Sequence, residues 1–509
     1  MTHFVYGGER KVPLQGVALN GAKAATGLME LGIGEADSFA TLLRNDICML
    51  ETMIAGNQMG AYAVPVNWHA SGEEAAYVIA DSGAKAVVVH ADLLPVLEGR
   101  VPDGVTVIVA ATPPEIAAAY GLPPEVCAVP AGAVEWEAWR DGFAPRTEEP
   151  PLQRGSMIYT SGTTGHPKGV RRDPASPERQ ARIAELALRS FGIRPDACCA
   201  MTGPMYHSAP NAYARIAMTL GCDLHLLPRF DPEELLRAID THKLSHMHMV
   251  PTMFTRLLRL PDAVREKYDL SSLVHVIHGA APCPPDAKRA MIEWWGPVIF
   301  EYYGSTEAGI VTIANSEDWL GKPGTVGRPQ PGTEVRIYDD DGNVLPIGES
   351  GEIYMNLNDL SDFTYHNKDD KRAEIERDGM VTNGDVGYLD ADGFVYLNDR
   401  KRDMVISGGV NIYPAEIEAV LHGMPGVHDC AVFGIPDDDF GEAVAAAVEP
   451  QPGVELDDRA VIAYLRDHIA GYKMPRLVTF HDALPREDTG KIFKRKLREP
   501  YWEKAGRRI

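Results

Sequence analysis

The stretch Tyr159-Thr-Ser-Gly-Thr-Thr-Gly-His-Pro-Lys-Gly-Val170 is the most informative part of this chain. Because the apolar pair Met157-Ile158 precedes it, we expect a strand that ends in a loop of glycine and hydroxyl residues. Such a loop presents backbone N–H groups to phosphate oxygens, and Lys168 supplies a counter-charge. A surface turn would explain the glycines alone, but the lysine favours phosphate binding. The loop is not the P-loop of nucleotide hydrolases, since Gly169 follows Lys168 where that motif requires serine or threonine.

The composition is that of an ordinary globular protein. The chain has 509 residues, of which 45% are hydrophobic and 24% are charged, and this length allows roughly two to four domains. The net charge of −23 argues against nucleic acid or anionic membranes as general partners, so an anionic nucleotide would need local positive charge. The seven cysteines are scattered without a CxxC pair, which suggests neither a zinc site nor a disulfide framework. We expect a reduced, cytoplasmic protein without an integral membrane segment, because no run reaches roughly 18 apolar residues.

Strands and helices alternate between residues 60 and 310, which predicts α/β architecture with parallel sheets. Ser71 and Glu74 have the spacing of a capping box, and Asp231-Pro232 predicts a second helix start. Residues 1–60 are weakly patterned, and residues 112–154, rich in proline and glutamate, are expected to form a surface excursion. Strands are predicted at residues 60–66, 85–89, 105–109, 223–228, 246–250, 273–277 and 298–302.

The second half of the chain has a different pattern. From about residue 325, short strands and the turns Asp341-Gly342 and Asp392-Gly393 predict a β-rich subdomain. Beyond a charged break at residues 399–403 we expect a small α+β unit, with helices at 414–422 and 457–469 and strands near 429–434 and 443–448. Two polar turns, His278-Gly-Ala-Ala-Pro282 and Tyr303-Gly-Ser-Thr-Glu307, follow predicted strands. In open α/β sheets ligands bind at such strand ends.

Residues 160–169 resemble the phosphate-binding signature of the adenylate-forming superfamily of acyl-CoA synthetases, adenylation domains and luciferases. Tyr302-Tyr-Gly-Ser-Thr-Glu307 resembles its second signature, and residues 485–492 resemble the terminal motif that carries the adenylation lysine, here Lys491. The pattern is most similar to AMP-forming acyl-CoA synthetases of the fatty-acid type. Glu301 departs from it, because relatives more often carry an amide there.

The resemblance implies a role for each matched position. Thr306 and Glu307 would act on phosphate and magnesium, with Glu307 as the metal ligand, and His207 would border the acyl and CoA channel. Asp385 and Arg400 would bind the ribose, and Gly408 and Gly409 would line the CoA tunnel. The remaining nucleotide-binding residues are Thr160, Ser161, Gly162, Thr163, Thr164, Gly165, Lys168, Gly279, Ala280, Ala281, Pro282, Tyr303 and Gly304.

The resemblance also implies the domain organisation. A large domain at residues 1–399 would contain doubly wound sheets and the β-rich subdomain, and would hold ATP and the acid. Residues 400–402 would form a hinge at Arg402. A small mobile α+β domain at residues 403–509 would present first Lys491 and then Gly408 and Gly409.

The implied reaction converts a carboxylic acid and ATP to an acyl-adenylate and pyrophosphate, and CoA then displaces AMP. Only 18 residues follow Lys491, so we expect CoA as the acceptor and no fused carrier domain. Apolar residues near the pocket turns favour a hydrophobic acid, first a fatty acid and second an aryl or hydroxycinnamate-type acid. The alternative to an enzyme is a non-catalytic nucleotide-binding homologue. The sequence does not determine the oligomeric state, and a homodimer is possible.

Overall fold

The computed structural model describes residues 2–505 except Gln153, Ala175, Arg402 and the stretches 161–166, 358–360, 408–409 and 487–491. The side chains of Ala187, Leu357, Arg400 and Asn411 are also outside the description. Among the described residues, no helix combines the length and the apolar surface needed to cross a bilayer.

A nine-stranded sheet forms the centre of the large domain, and six of its strands are mutually parallel. Antiparallel strands flank this parallel core at both edges. In spatial order the strands are Arg328–Pro329, Gly309–Ala314, Ile299–Ser305, His275–His278, His246–Met249, Cys198–Met201, Asp223–Leu226, Phe4–Gly7 and Arg10–Pro13.

A second sheet has five parallel strands: Tyr62–Pro65, Ser38–Leu42, Ala84–His90, Thr106–Ala110 and Val134–Glu135. Helices connect and cover the two sheets, as parallel strands require. In the large domain they are Leu14–Glu30, Ile47–Met59, Gly72–Asp81, Pro114–Tyr120, Pro124–Cys127, Trp136–Asp141, Pro177–Phe191, Ser208–Thr219, Pro232–His242, Pro251–Leu258, Asp262–Arg265, Pro285–Trp295, Ser316–Gly321 and Asp369–Glu374, with a 3₁₀ segment at Ala91–Leu97.

Two antiparallel sheets complete the large domain. A three-stranded sheet consists of Phe363–Tyr365, Lys168–Arg172 and Ile158–Thr160. The β-rich subdomain consists of Thr333–Tyr338, Gly351–Leu357, Met380–Leu389, Glu376–Arg377 and Val395–Arg400. Gly393 adopts a φ of 80° in the turn before Val395–Arg400, as expected for the Asp392-Gly393 hairpin.

The C-terminal unit is a small α+β structure with its own hydrophobic core. Its strands are Val405–Ser407, Val410–Ile412, Val427–Asp437, Gly441–Pro450 and Leu477–Phe480, and its helices are Pro414–His422, Asp458–Arg466 and Lys494–Lys504, with a 3₁₀ turn at Gly471–Lys473. Arg259 of the large domain donates to His428 through Nη1 to Nε2 (2.9 Å) and through Nη2 to the backbone carbonyl (2.8 Å).

These sheets confirm the predicted fold class and most predicted elements. The capping box is complete, since Ser71 accepts from the backbone of Glu74 and the Glu74 carboxylate accepts from the backbone of Ser71. The predicted hinge at residues 400–402 begins at the last residue of strand Val395–Arg400 and precedes strand Val405–Ser407, and the domain division stays a proposal.

Two stretches contain more structure than their sequence patterns indicated. Residues 1–60 contain three strands and the closely packed helices Leu14–Glu30 and Ile47–Met59. The contact between these helices depends on small residues, because a Cβ on Gly21 would lie 2.6 Å from Ile54. Alanine and glycine give a weak hydrophobic pattern, so the sequence did not indicate these helices. Residues 112–154 are not only a surface excursion: Trp136 is buried and donates to Glu51 Oε2 (2.9 Å).

Candidate active site

The predicted phosphate loop connects two strands of the three-stranded sheet. Thr160 at the end of the first strand lies opposite Lys168 at the start of the second. The loop residues Ser161, Gly162, Thr163, Thr164 and Gly165 lie outside the described residues. Helix Gly72–Asp81 supports this hairpin, because Tyr159 donates to Asp81 (2.8 Å) and Tyr77 donates to the carbonyl of Pro167 (3.1 Å).

Lys168 lies beside Tyr365 of the neighbouring strand, with Nζ 5.0 Å from the ring centroid. Burial, and next the positive charge of Lys371, lower the pKa of Lys168, whereas Glu374 and Glu307 act in the opposite direction. Because Glu374 and Glu307 offset the charge of Lys168 only in part, its ammonium group can bind a phosphate group.

Thr306 and Glu307 form the turn between the strands Ile299–Ser305 and Gly309–Ala314. The Tyr365 hydroxyl donates to Glu307 Oε1 (2.9 Å), and burial together with this carboxylate raises the pKa of Tyr365. Thr306 Oγ1 lies 3.0 Å from Ser208 Oγ. The turn therefore collects a carboxylate and several hydroxyl oxygens next to Lys168, and hard cations such as magnesium prefer these donors.

Arg172 holds this turn in place, and the sequence analysis missed it. Its Nη2 donates to the carbonyls of Thr306 (2.8 Å) and Glu307 (2.6 Å), while Nη1 donates to the carbonyl of Ser361 (2.8 Å). Burial lowers the pKa of Arg172 to about 10, so the guanidinium stays charged at neutral pH. The sequence signal that could have identified Arg172 is the pair Arg171-Arg172. It follows the phosphate loop directly, in a chain with a net negative charge.

His207 is the residue before helix Ser208–Thr219 and its ring packs on Tyr206, with centroids 4.3 Å apart. Because Ser208 contacts Thr306, the start of this helix lies against the Thr306-Glu307 turn. The structure thus brings the His207 segment into contact with the second signature, which lies about 100 residues later in the chain.

Tyr303 connects the second signature to the predicted ribose site. Its hydroxyl donates to Asp385 Oδ2 (2.9 Å), and the Asn383 amide donates to the same oxygen (2.7 Å). Asp385 lies opposite Arg400 on adjacent antiparallel strands. The Asp385 carboxylate is buried beside the tyrosine that the resemblance assigns to the base.

The turn Gly279-Ala280-Ala281-Pro282 follows strand His275–His278, which is parallel to strand Ile299–Ser305. A Cβ on Gly279 would lie 2.5 Å from the Tyr302 ring, so this position needs glycine, and Ala280 has a φ of 68°. Gly304 is equally constrained, because a Cβ there would lie 1.8 Å from the carbonyl oxygen of Gly309. Both pocket turns therefore lie at neighbouring carboxyl ends of one sheet, where ligands bind.

Glu301, the departure from the family pattern, forms an internal ion pair. Lys288 Nζ lies 2.5 Å from Glu301 Oε2, and both side chains are buried. Burial raises the pKa of Glu301, and Lys288 opposes this shift. Glu301 thus has a partner within the protein.

The C-terminal candidates cannot be placed in this site, because Lys491, Gly408, Gly409 and Arg402 lie outside the described residues. The backbone of Arg400 is described, and its side chain is not.

Comparisons with known proteins identify the family of this chain. Residues 3–360 match the family described as AMP-binding enzyme, and residues 416–491 match the AMP-binding enzyme C-terminal domain. The fold and the site thus define an enzyme of the adenylate-forming class. The chain belongs to the AMP-binding enzyme family, which confirms the predicted superfamily.

Three relatives illustrate the range of the family. A feruloyl-CoA synthase from Amycolatopsis sp is 33% identical over 487 residues, covering 94% of this chain and 92% of the relative. The long-chain-fatty-acid–CoA ligase FadD13 of Mycobacterium tuberculosis is 31% identical over 493 residues, covering 94% and 91%. The ATP-bound structure of MatB from Rhodopseudomonas palustris superposes with a TM-score of 0.84 at 28% identity, covering 98% of this chain and 96% of MatB.

Proposed function

We propose that this chain is an AMP-forming acid–CoA ligase that adenylates a hydrophobic carboxylic acid with ATP and transfers the acyl group to CoA. The family and its ligase members support the class of an ATP-dependent acid–CoA ligase. The observation that carries the proposal is the convergence of the Thr306-Glu307 turn, Lys168 and the Tyr303–Asp385 pair from separate parts of the chain.

The phosphates of ATP would bind along the loop that begins at Thr160 and ends at Lys168. The Glu307 carboxylate would hold magnesium, which supplies positive charge at the phosphates, and the oxygen donors around it fit this role. Asp385 and Arg400 would bind the ribose hydroxyls, and Tyr303, Gly304 and the turn from Gly279 to Pro282 would surround the base.

The reaction needs two steps because a free carboxylate is a poor electrophile, whereas a mixed anhydride with AMP has a good leaving group. In the first step Lys491 would stabilise the negative charge that develops between the acid and the α-phosphate. In the second, rotation about Arg402 would replace Lys491 by the loop at Gly408 and Gly409, and His207 would border the path of the CoA thiol.

The proposed class of acid rests on apolar residues in the candidate pocket segments 207–213, 250–253 and 303–310. Tyr213, Val250, Met253 and Ala308 are all buried, and apolar walls favour an apolar substrate. Tyr213 also packs edge-on against Phe191, with ring centroids 5.6 Å apart. Relatives named for ferulate and for long-chain fatty acids support both a fatty and an aryl acid for this chain.

A panel of carboxylic acids tests the proposal. We expect pyrophosphate release with hydrophobic acids and not with small polar acids, and we expect AMP and thioester formation to require CoA. Pyrophosphate would be measured by a coupled assay and the thioester by mass spectrometry. If an active acid turns over equally well without CoA, the ligase is excluded in favour of another adenylate chemistry, and if no acid releases pyrophosphate, the non-catalytic alternative applies.

The Tyr303–Asp385 hydrogen bond provides a test of the ribose site. Tyr303→Phe keeps the ring but leaves Asp385 with one donor fewer, so the KM for ATP should rise about tenfold, the effect of one hydrogen bond to a charged group. The KM for the acid should change little. Tyr388→Phe, in the same strand Met380–Leu389, is the matched control. An unchanged KM for ATP in Tyr303→Phe would exclude this role of Asp385.

A further inference from the structure

Three side chains with different donor atoms meet in the C-terminal unit. His422 is the last residue of helix Pro414–His422, and Asp429 and Cys430 lie near the start of strand Val427–Asp437. His422 Nε2 lies 3.6 Å from Asp429 Oδ1 and 3.9 Å from Cys430 Sγ. The ligand atoms of the three residues all lie within 4.8 Å of one another.

The geometry points to a zinc-binding site formed by His422, Asp429 and Cys430. Zinc binds sulfur at about 2.3 Å and nitrogen or oxygen at about 2.0–2.2 Å in a tetrahedral arrangement, which places its ligand atoms roughly 3.3–3.6 Å apart. The 3.6 Å separation lies at the upper end of this range, the 3.9 Å separation exceeds it slightly, and every pair of ligand atoms lies within 4.8 Å. Small side-chain rotations would therefore close the site around an ion without a change of the backbone.

The chemistry of the donors selects the ion. One imidazole nitrogen, one thiolate sulfur and one carboxylate oxygen form a mixed set that suits zinc, whereas magnesium and calcium prefer oxygen alone. Three protein ligands leave the fourth tetrahedral position for water. His422 lies at the surface, so an ion can enter from solvent.

Neighbouring groups hold the Asp429 ligand in position. Arg486 Nη1 lies 2.8 Å from Asp429 Oδ2, and the backbone N–H of Cys430 donates to Asp429 Oδ1 (2.8 Å). Groups that orient metal ligands in this way raise the affinity of a site.

Binding would release the thiol proton of Cys430 to the solvent and join its sulfur to the ion, with no change of oxidation state. The ion would tie the end of helix Pro414–His422 to strand Val427–Asp437. The ion would share Asp429 with Arg486, the residue directly before 487–491. Arg486 also pairs with Glu449 (Nη2 to Oε2, 3.2 Å). The expected consequence is a more stable C-terminal unit, and this does not depend on the proposed ligase activity.

No CxxC pair marks this site in the sequence. Only one of the three ligands is a cysteine, and His422 is separated from Asp429 by a turn. The site exists only where the helix end packs against the strand.

The test uses the full-length chain, stripped with a chelator and titrated with zinc in competition with a chromophoric chelator. We expect one tightly bound equivalent and a rise in Tm on binding. Cobalt in place of zinc should give a sulfur-to-metal charge-transfer band in the near ultraviolet. Cys430→Ser should abolish this band, and His422→Ala should weaken binding at least about 100-fold. Arg486→Gln should weaken it by about 10- to 100-fold, as is typical for groups that orient ligands.

Cys198→Ser and His468→Ala are the matched controls, because they remove a thiol of the large domain and an exposed histidine that follows helix Asp458–Arg466. Both should bind zinc like the unchanged chain. Circular dichroism would verify that each variant is folded. The inference is wrong if the unchanged chain binds no equivalent, or if the cobalt band persists in folded Cys430→Ser.

Discussion

Glu307→Gln should lower the rate of pyrophosphate release from ATP and acid by about 100- to 1000-fold. The substitution removes one negative charge from the proposed magnesium site while the amide oxygen can still accept from the Tyr365 hydroxyl. The protein should therefore stay folded and lose only the charge. A preorganised charge in such a site contributes on the order of 3–4 kcal/mol to the transition state.

Glu317→Gln is the control for this variant. Glu317 is exposed and lies in helix Ser316–Gly321, which follows the strand after the Thr306-Glu307 turn. It should release pyrophosphate like the unchanged chain. Raising the magnesium concentration should restore part of the activity of Glu307→Gln, since a weakened site is filled by mass action. Near-normal pyrophosphate release by Glu307→Gln would exclude Glu307 as the metal ligand.

Lys491→Ala should separate the two half-reactions. Loss of the positive charge at the developing anion should lower acyl-adenylate formation by about 100- to 1000-fold. The same variant, supplied with preformed acyl-adenylate, should still make the thioester, because that step would use the loop at Gly408 and Gly409. Each half-reaction would be followed by mass spectrometry of its product.

Two further variants complete this experiment. Lys496→Ala removes an exposed lysine of the terminal helix and should leave both steps unchanged. Arg402→Pro fixes φ at the proposed hinge and should impair the thioester step more than adenylation. An equal loss of both steps in Lys491→Ala, with circular dichroism showing a folded protein, would contradict the exchange of domains around one hinge.

The elements that the sequence predicted well are those specified by short-range patterns. The Ser71 and Glu74 capping box, the Asp231 N-cap and the Asp392-Gly393 turn each depend on residues a few positions apart. The predicted helix at 414–422 coincides with the observed Pro414–His422. Where the pattern consisted of alanine and glycine, as in Leu14–Glu30, the analysis recognised no element, because the packing of small residues depends on the partner helix.

The candidate site shows the same division between local motif and long-range contact. The phosphate loop, the second signature and Asp385 could be identified from the motifs in which they occur. The contact between Arg172 and the carbonyls of Thr306 and Glu307 could not, since it joins a strand to a turn more than 130 residues later in the chain. The Lys288–Glu301 pair was also missed, because lysine and glutamate are almost never fully buried unless they pair, and the sequence alone does not show which residues pair.

The sequence by itself determined the family, the two-part order of the chain and the residue types from which an adenylating site would be built. Only the tertiary structure decided which of these side chains meet: Ser208 with Thr306, Tyr303 with Asp385, and His422 with Asp429 and Cys430. The physical reason is that capping, turns and periodicity act over a few residues. Contacts between distant segments depend instead on how whole sheets and helices pack, and no local pattern carries that information.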